Sequence, residues 1–328
     1  MQVMDLFTGG QAGYHTYRIP ALAVALDGTV LAFCEARLHN GRDDDQINIL
    51  LRRSFDGGHS WEPPQTVITD GERTCGNPCP VVDRNSGAVV LPFCKDNQQI
   101  FVTRSFDHGV SWETPVEITA SARDAAWSYV GTGPGHGIQL ADGRLLIPSW
   151  ADESPGPVTW SPNPNWGKVQ SSYAFFSDDG GASWQCGAKM TTDVSDECMA
   201  VEIAPGQVYM NMRSRHGKKC RAYARSNDGG ATWSEVAYEP EMTEPSCQGS
   251  ILKLEDGTLL QVHPTAPEDR THLQAHFSDD GGHTWPRKKM ISVGPSAYSD
   301  LASVDGGTVL CLYEADHCKR LALVRLER

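Results

Sequence analysis

The 328-residue chain lacks any apolar run that approaches the length of a membrane span. Its first residues, Met1–Phe7, contain neither the basic segment nor the apolar core of a secretory leader. These two absences predict a cytoplasmic protein without a membrane span. A secreted location stays open if a leader has been trimmed from the chain.

Positive charge is scarce relative to negative charge. The chain has 28 lysines and arginines against 41 aspartates and glutamates, which gives a formal net charge of -13 at pH 7. Such a surface repels a phosphate backbone or an anionic membrane, so we expect no nucleic-acid partner. An anionic ligand would need a local concentration of arginine that outweighs this field at short range.

The sequence also lacks the residue spacings that hold metals and phosphates. None of the eleven histidines forms an H-x-x-x-H pattern, and the one close cysteine pair, Cys75 and Cys79, has no second Cys/His pair to complete a metal site. The glycine-rich stretch 131–135 is not followed by the Lys-Ser/Thr of a phosphate loop. We therefore expect no metal and no organic cofactor, and we interpret most of the ten cysteines as reduced core residues.

What the sequence does contain is an internal repeat, S-x-D-x-G-x-[ST]-W. Its five copies begin at Ser54, Ser105, Ser177, Ser226 and Ser278. The aspartate can accept hydrogen bonds from the amides that follow it, the glycine permits positive φ, and the tryptophan anchors the turn on apolar surface. Runs typical of strands, such as 47–51 and 99–103, precede the copies. Each copy therefore predicts a hairpin between two antiparallel strands.

The spacing of the copies predicts the architecture. Their aspartates lie 51, 72, 49 and 52 residues apart, and a unit of about 50 residues is the length of one propeller blade. Six such units fit in the chain. We predict an all-β fold in which residues 1–328 form one six-bladed β-propeller with five Asp-box hairpins. The long interval contains the proline-rich stretches 154–158 and 161–166, which we expect to form a loop over one face of the disc.

Short motifs outside the repeat carry charged and aromatic residues along the whole chain. They are Tyr17–Pro20, Glu35–Arg37, Asp43–Asp45, Asn77–Val81, Gly133–Gln139, Glu197–Met199, Asn211–Arg215, His263–Arg270, Ala297–Ser299 and Leu312–Glu314. In order and spacing these motifs resemble those of the sialidase (neuraminidase) family, of the bacterial and animal cytosolic kind. The resemblance implies a glycoside hydrolase that removes terminal sialic acids from glycans.

The resemblance also implies a site for the carboxylate of the substrate. In that family three arginines from separate blades hold this group, and the matching positions are Arg18, Arg213 and Arg270. The planar guanidinium fork suits a carboxylate in a way that lysine cannot reproduce. By the same resemblance Glu314 holds Arg18 in place. Arg37, two residues after Glu35, is similar to a further arginine beside this site.

The nucleophile implied by the resemblance is Tyr298, activated by Glu197. Sialic acid carries a carboxylate on its anomeric carbon, so a carboxylate nucleophile would meet a like charge, whereas a phenol arrives neutral and passes its proton to a glutamate. A tyrosine nucleophile is a known exception among glycosidases, most of which use two carboxylates. The covalent intermediate implies that the anomeric configuration is retained.

The general acid and base is expected within Asp43–Asp45. The family pattern, counted back from Arg52 and Arg53, selects Asp43 and leaves Asp44 in reserve, one residue away. This group would protonate the leaving oxygen and later deprotonate the attacking water. Three adjacent carboxylates are also expected to raise one another's pKa, which would help one of them to stay protonated near neutral pH.

Two other functions remain compatible with these residues. A trans-sialidase, or a hydrolase that prefers a related nonulosonic acid such as Kdn, would bind the same anomeric carboxylate. A glycan-binding propeller without catalysis is the third hypothesis, because the repeat by itself is structural. The expected partners are sialylated oligosaccharides, glycoproteins and gangliosides, and the expected oligomeric state is a monomer.

Overall fold

The computed structural model describes residues 3–153, 169–190, 195–215, 217–304 and 307–327. The two proline-rich stretches that we expect to cover one face, 154–158 and 161–166, lie outside the described residues. Among the helices described, none is long and apolar enough to cross a membrane.

The described chain is almost entirely β-structure, with 25 strands and one helical turn, α1 (Thr119–Ala122). The strands of the first half are β1 (Val3–Thr8), β2 (Thr16–Val24), β3 (Val30–Arg37), β4 (Ile47–Ser54), β5 (Gln65–Ile68), β6 (Cys75–Gly76), β7 (Val81–Val82), β8 (Val89–Lys95), β9 (Gln99–Ser105), β10 (Val116–Glu117), β11 (Tyr129–Thr132), β12 (Ile138–Gln139) and β13 (Leu145–Asp152). Those of the second half are β14 (Gln170–Ser177), β15 (Gln185–Cys186), β16 (Ser195–Ala204), β17 (Gln207–Ser214), β18 (Cys220–Ser226), β19 (Ala237–Thr243), β20 (Ser250–Lys253), β21 (Leu259–Pro264), β22 (Thr271–Ser278), β23 (Arg287–Val304), β24 (Thr308–Ala315) and β25 (Arg320–Leu326). The runs that the sequence predicted as strands, 47–51 and 99–103, are confirmed by β4 and β9.

The strands form five antiparallel sheets whose members follow one another along the chain. The first sheet has the order β2-β3-β4-β5, the second β6-β8-β9-β10 with β7 also on β8, and the third β11-β13-β14-β15 with β12 also on β13. The fourth is β16-β17-β18-β19, and the fifth runs β20-β21-β22-β23-β24-β25-β1. The pairing of β1 with β25 joins the first and last described strands in one sheet.

Strand β23 belongs to two ladders at once, which explains the size of the fifth sheet. Its residues Arg287–Pro295 pair with β22, and Ser296–Val304 pair with β24. The second ladder shifts register between Ser296 and Ser299. Tyr298 lies within this irregularity. Such a bulge re-aims a side chain relative to a regular strand.

Apolar clusters join each sheet to the next. Phe33 of the first sheet and Phe93 of the second share one cluster, and Val90 of the second shares another with Ile147 of the third. Similar clusters join the third sheet to the fourth and the fourth to the fifth. Leu310 of the fifth sheet clusters with residues of β2 and β3. The fifth sheet therefore packs back on the first, and the sheets form a closed ring.

Each of the five repeat copies forms the same hydrogen-bonded turn at the end of a strand. In the first copy the Ser54 hydroxyl donates to Asp56 Oδ1 (2.8 Å), which also accepts from the amide of Ser60 (2.8 Å). The other four copies repeat these contacts. The hydrogen bond from the Ser111 hydroxyl is the largest cause that lowers the pKa of Asp107 to about 2. The aspartates therefore act as fixed anionic acceptors inside their turns.

Candidate active site

Several charged residues and one tyrosine gather where strands of different sheets begin or end. Arg18 lies early in β2, Glu197 early in β16 and Arg213 late in β17, while Tyr298 lies at the bulge of β23. Arg270 immediately precedes β22. These segments are far apart in sequence, and the ring of sheets brings them together.

Tyr298 and Glu197 form a buried hydrogen-bonded pair. The Tyr298 hydroxyl donates to Glu197 Oε1, and Arg213 Nη1 donates both to Glu197 Oε2 (2.7 Å) and to the Tyr298 hydroxyl oxygen (3.1 Å). Only 5% of Tyr298 and 6% of Glu197 is exposed. Burial, followed by the charge of Glu197, raises the pKa of Tyr298 well above its ordinary value, although three arginines oppose the shift. The phenol is therefore neutral at rest, with a proton acceptor already in contact.

Three arginines surround the ring of Tyr298. The guanidinium carbons of Arg18 and Arg270 lie 5.1 and 5.4 Å from the ring centroid, within cation-π range, and Arg213 contacts the hydroxyl. Within the described residues, Arg213 Nη2 and the Nε and Nη1 of Arg270 donate no hydrogen bond to the protein. These donors remain free to bind an anion placed against Tyr298.

Arg18 is held by a fully buried carboxylate. Its Nε and Nη2 donate to the two oxygens of Glu314 at 2.9 and 3.1 Å, and the Ile19 amide adds a third hydrogen bond (3.0 Å). Glu314 is 0% exposed. Burial alone would raise the pKa of Glu314, but the charge of Arg18 and these hydrogen bonds outweigh it and leave that pKa lowered. The orientation of the Arg18 fork is thereby fixed.

Arg37 forms a second buried ion pair beside this group. Its Nε and Nη2 donate to Glu35 Oε2 at 3.1 and 2.6 Å, and Glu35 Oε1 accepts from the Asn77 amide (2.8 Å). Asp43 reaches in from the rim, where 43% of its side chain is exposed. Its Oδ1 lies 2.7 Å from Arg37 Nη2 and 3.4 Å from Arg18 Nη1. Asp43 therefore joins the exposed edge of the site to its arginines.

Asp44 lies apart from the site, and the pKa values of Asp44 and Asp45 are lowered overall, although the charge of Asp45 acts to raise the pKa of Asp44 as expected. Asp44 pairs with Arg42 (2.8 Å), whose hydrogen bond lowers the pKa of Asp44. Burial would raise the pKa of Asp45, but hydrogen bonds from the Asn40 amide and from His39 outweigh burial and lower it. Adjacent residues in this loop point to different donors, so their charges are separately compensated.

Several residues at the site were not assigned from the sequence. Asp196, which is 0% exposed, forms ion pairs with Arg213 (3.7 Å) and with Arg215. Ser246 contacts both Arg213 and Arg270. Arg215 lies in the motif Asn211–Arg215, and Asp196 directly precedes Glu197, so closeness in sequence to assigned site residues indicates both. Nothing in the local sequence distinguishes Ser246.

A small cavity of about 80 Å³ opens beside Asp43, Arg37 and Glu197. The aromatic rings of Tyr129 and Trp150, which lie 4.7 Å apart, line it together with Asn97 and Arg215. The strands that carry the two rings, β11 and β13, belong to the third sheet. This cavity offers flat apolar surface and amide groups next to the charged pocket.

The cysteines do not contribute a second centre. All ten are free thiols, and eight of them are buried in the core. Burial raises the pKa of Cys198 and Cys311, which lie deep in strands. In the described part of the chain no group of three histidine, cysteine, aspartate or glutamate residues could hold a metal ion.

Comparison with known proteins finds relatives that match most of the chain. The family described as BNR repeat-like domain matches residues 28–311. Sialidase-3 of Rattus norvegicus is 30% identical over 94% of this chain and 90% of the relative. The solved structure of the Hadza microbial sialidase Hz136 superposes with a TM-score of 0.89 at 25% identity, covering 99% of this chain and 68% of that one. An intramolecular trans-sialidase from Ruminococcus gnavus shares the fold, with a TM-score of 0.80 at 17% identity over 98% of this chain and 97% of that one.

Relatives named sialidase that match over most of the chain make it a glycoside hydrolase. The chain belongs to the sialidase (neuraminidase) family, since both the repeat family and a relative at 30% identity cover most of its length.

Proposed function

We propose that the chain is a retaining exo-α-sialidase that hydrolyses terminal sialic acids from oligosaccharides, glycoproteins and gangliosides. The observation that carries this proposal is the buried pair of Tyr298 and Glu197 surrounded by Arg18, Arg213 and Arg270. An arginine-lined pocket in a chain of net charge -13 selects an anion by local pairing rather than by the global field.

In this proposal the three arginines bind the substrate carboxylate and place the anomeric carbon against the Tyr298 hydroxyl. As the phenol oxygen attacks, Glu197 accepts its proton, and Asp43 protonates the glycosidic oxygen that leaves. A covalent sialyl-tyrosine results. Asp43 then removes a proton from water, the water attacks the same carbon, and the tyrosine leaves with its proton returned from Glu197. Two displacements retain the anomeric configuration.

We also propose that residues 1–328 form one six-bladed β-propeller with five Asp-box hairpins. Four blades correspond to the first four sheets, and the two halves of β23 assign the fifth sheet to two blades. In the sixth of these blades β1 pairs with β25, which mixes strands from both ends of the chain. The closed ring of clusters and the fold shared with sialidases support this assignment.

The oligomeric state and the location stay predictions. We propose a monomer, because a strong excess of acidic groups makes like molecules repel one another. Light scattering at low ionic strength should give a mass near 35.8 kDa. A mass of twice that value would overturn this part of the proposal.

The decisive test of the function compares Tyr298→Phe with Tyr209→Phe, a tyrosine buried in β17 outside the pocket. With a fluorogenic α-sialoside, we expect the wild type to release the fluorophore and Tyr298→Phe to lose at least about a hundredfold in kcat, since about 3 kcal/mol of barrier corresponds to such a factor. Tyr209→Phe should keep its rate. Full turnover by Tyr298→Phe would refute the nucleophile assignment.

Further outcomes distinguish the other hypotheses. Transfer of the sugar to an added galactoside acceptor at the expense of hydrolysis would indicate a trans-sialidase, and faster cleavage of Kdn glycosides would indicate that substrate. Proton NMR of the first-released sugar reports whether the configuration is retained. Sialoside binding without turnover at any pH would leave a glycan-binding propeller.

A further inference from the structure

Ser246 contacts two of the three arginines that surround Tyr298. It lies in the turn between β19 and β20. Its hydroxyl accepts a hydrogen bond from Arg213 Nε (3.2 Å), and its carbonyl oxygen accepts one from Arg270 Nη2 (3.2 Å). Arg213 belongs to the fourth sheet, whereas Arg270 adjoins β22 of the fifth. One residue therefore contacts two guanidinium groups that come from different parts of the ring.

The turn that carries Ser246 is fixed by a fully buried ion pair. Glu244 and Arg221 are both 0% exposed, and Arg221 Nη1 donates to Glu244 Oε2 (2.7 Å) and to the Cys247 carbonyl (2.5 Å). The amides of Ser214 and Cys247 donate to the oxygens of Glu244 at 2.7 and 3.2 Å. Ser214 directly follows Arg213, so the same carboxylate holds both the strand of the arginine and the turn of the serine.

The same segment also holds the chain next to Tyr298. Gln248 Oε1 accepts from the Ser299 amide (2.9 Å), and Gln248 Nε2 donates to the Ser299 carbonyl (3.0 Å). Residues 244–248 therefore connect Arg213, Arg270 and the neighbour of Tyr298 through direct hydrogen bonds.

Ser246 also has an unusual backbone conformation. Its φ is 54°, in the left-handed region that residues other than glycine adopt at a steric cost. This conformation accompanies an arrangement in which both its hydroxyl and its carbonyl oxygen contact arginines. Strain of this kind persists where surrounding contacts over-determine the backbone, as the buried ion pair does here.

We propose that Ser246 is a positioning residue for the carboxylate-binding arginines. The proposal rests on the function proposed above, and it adds that the carboxylate pocket is set by this turn as well as by the arginines themselves. With Nε bound to Ser246, Arg213 directs Nη1 to Glu197 and Tyr298 and leaves Nη2 for the ligand. Loss of the hydroxyl lets the guanidinium rotate and weakens its grip on a carboxylate.

The test uses Ser246→Ala and Ser246→Gly in the full chain. Both remove the hydroxyl, but glycine also relieves the positive φ, so the two variants should differ in stability while sharing the same functional defect. We expect KM for an α-sialoside to rise roughly tenfold in both variants, with kcat within about threefold of the wild type, because a hydrogen bond to a charged group is lost. Ala12→Gly, at an exposed position with φ of 50°, is the matched control for strain relief and should leave KM unchanged.

A second readout isolates the carboxylate from general damage to the pocket. Binding of β-methyl sialoside, which an α-sialidase does not cleave, and of its methyl ester is measured by calorimetry. The serine variants should bind the acid roughly tenfold more weakly than the wild type, and the ester with unchanged affinity. A merely structural role would weaken both ligands alike, and that result would overturn the proposal.

The two proposals fail in different ways. If the wild type turns over sialosides while both serine variants keep its KM and its preference for the acid, only the role of Ser246 is refuted. If the wild type neither binds nor cleaves sialosides, the proposed function itself is refuted.

Discussion

The buried carboxylate of Glu314 provides the sharpest test of how the pocket is held together. In Glu314→Gln the side chain keeps its shape, but an amide nitrogen must replace one of the two oxygens that accept from Arg18 at 2.9 and 3.1 Å. Arg18, whose side chain is only 14% exposed, then loses its buried counter-charge and keeps only the half-exposed Asp43, 3.4 Å away. Removing one partner of a buried ion pair costs about 3 to 5 kcal/mol, because the remaining charge stays desolvated.

This cost predicts a measurable shift in melting temperature. An unfolding entropy of about 2.1 cal/mol/K per residue gives about 0.7 kcal/mol/K for 328 residues, so the melting temperature should fall by about 4 to 7 °C. Differential scanning calorimetry measures both the melting temperature and the unfolding entropy. We also expect a higher KM for sialosides, since Arg18 loses its fixed orientation.

The matched control is Glu62→Gln, which removes an ion pair with Arg53 of similar length (2.7 Å) at the surface, where 42% of the Glu62 side chain is exposed. An exposed pair contributes about 0 to 1 kcal/mol, so this variant should melt within about 1.5 °C of the wild type.

The pKa of Glu314 is lowered in the folded state, so its stabilisation is present above the ordinary glutamate pKa and is lost as the pH falls through the lowered one. The difference in melting temperature between the wild type and Glu314→Gln should therefore become smaller at acidic pH. If Glu314→Gln melts with the wild type at neutral pH, the bidentate buried pair is not what holds Arg18.

Two further predictions concern charge at and near the pocket. Asp43→Asn should lower kcat at least about thirtyfold on substrates with a poor leaving group, because general acid catalysis contributes about a hundredfold or more. The control variant Asp44→Asn should keep a kcat near that of the wild type. Equal losses of kcat in the two variants would contradict the assignment of the acid to Asp43. Burial tends to lower the pKa of His136, but Asp300, 2.8 Å away, outweighs it and leaves that pKa raised. The stabilisation by this pair is therefore complete below the ordinary histidine pKa and is lost as the pH rises through the raised pKa. In urea titrations, His136→Asn should lose more free energy of unfolding relative to the wild type at pH 6 than at pH 9. A loss that does not depend on pH would contradict the charge pairing.

The repeat and the family motifs made most of the site predictable. Arg18 and Glu314 are separated by 296 positions, yet each lies in a motif whose order along the chain resembles the sialidases. The strands were predictable because a period of about 50 residues with a fixed turn leaves little choice of local structure. Contacts between distant motifs follow from the closed ring of sheets rather than from local propensity.

The features that could not be predicted depend on the direction in which side chains and backbone groups point, which the local sequence does not determine. The three adjacent aspartates looked mutually repulsive, but Asp44 turns to Arg42 while Asp43 turns to Arg37, so proximity along the chain was misleading. The contacts of Ser246 depend on its positive φ and on a buried ion pair contributed by another strand. No pattern of residue types predicts these side-chain directions or the contacts of Ser246.

The double pairing of β23 constrains how this chain can vary in length. Tyr298 lies just past the point where the partner of the strand changes from β22 to β24. Because side chains alternate between the two faces of a strand, one residue gained or lost between Pro295 and Tyr298 would turn the phenol away from Glu197 unless a compensating irregularity followed. We therefore expect insertions to be tolerated in the turns outside the ring but not in this short crossing, where the spacing itself holds the Tyr298 hydroxyl against Glu197.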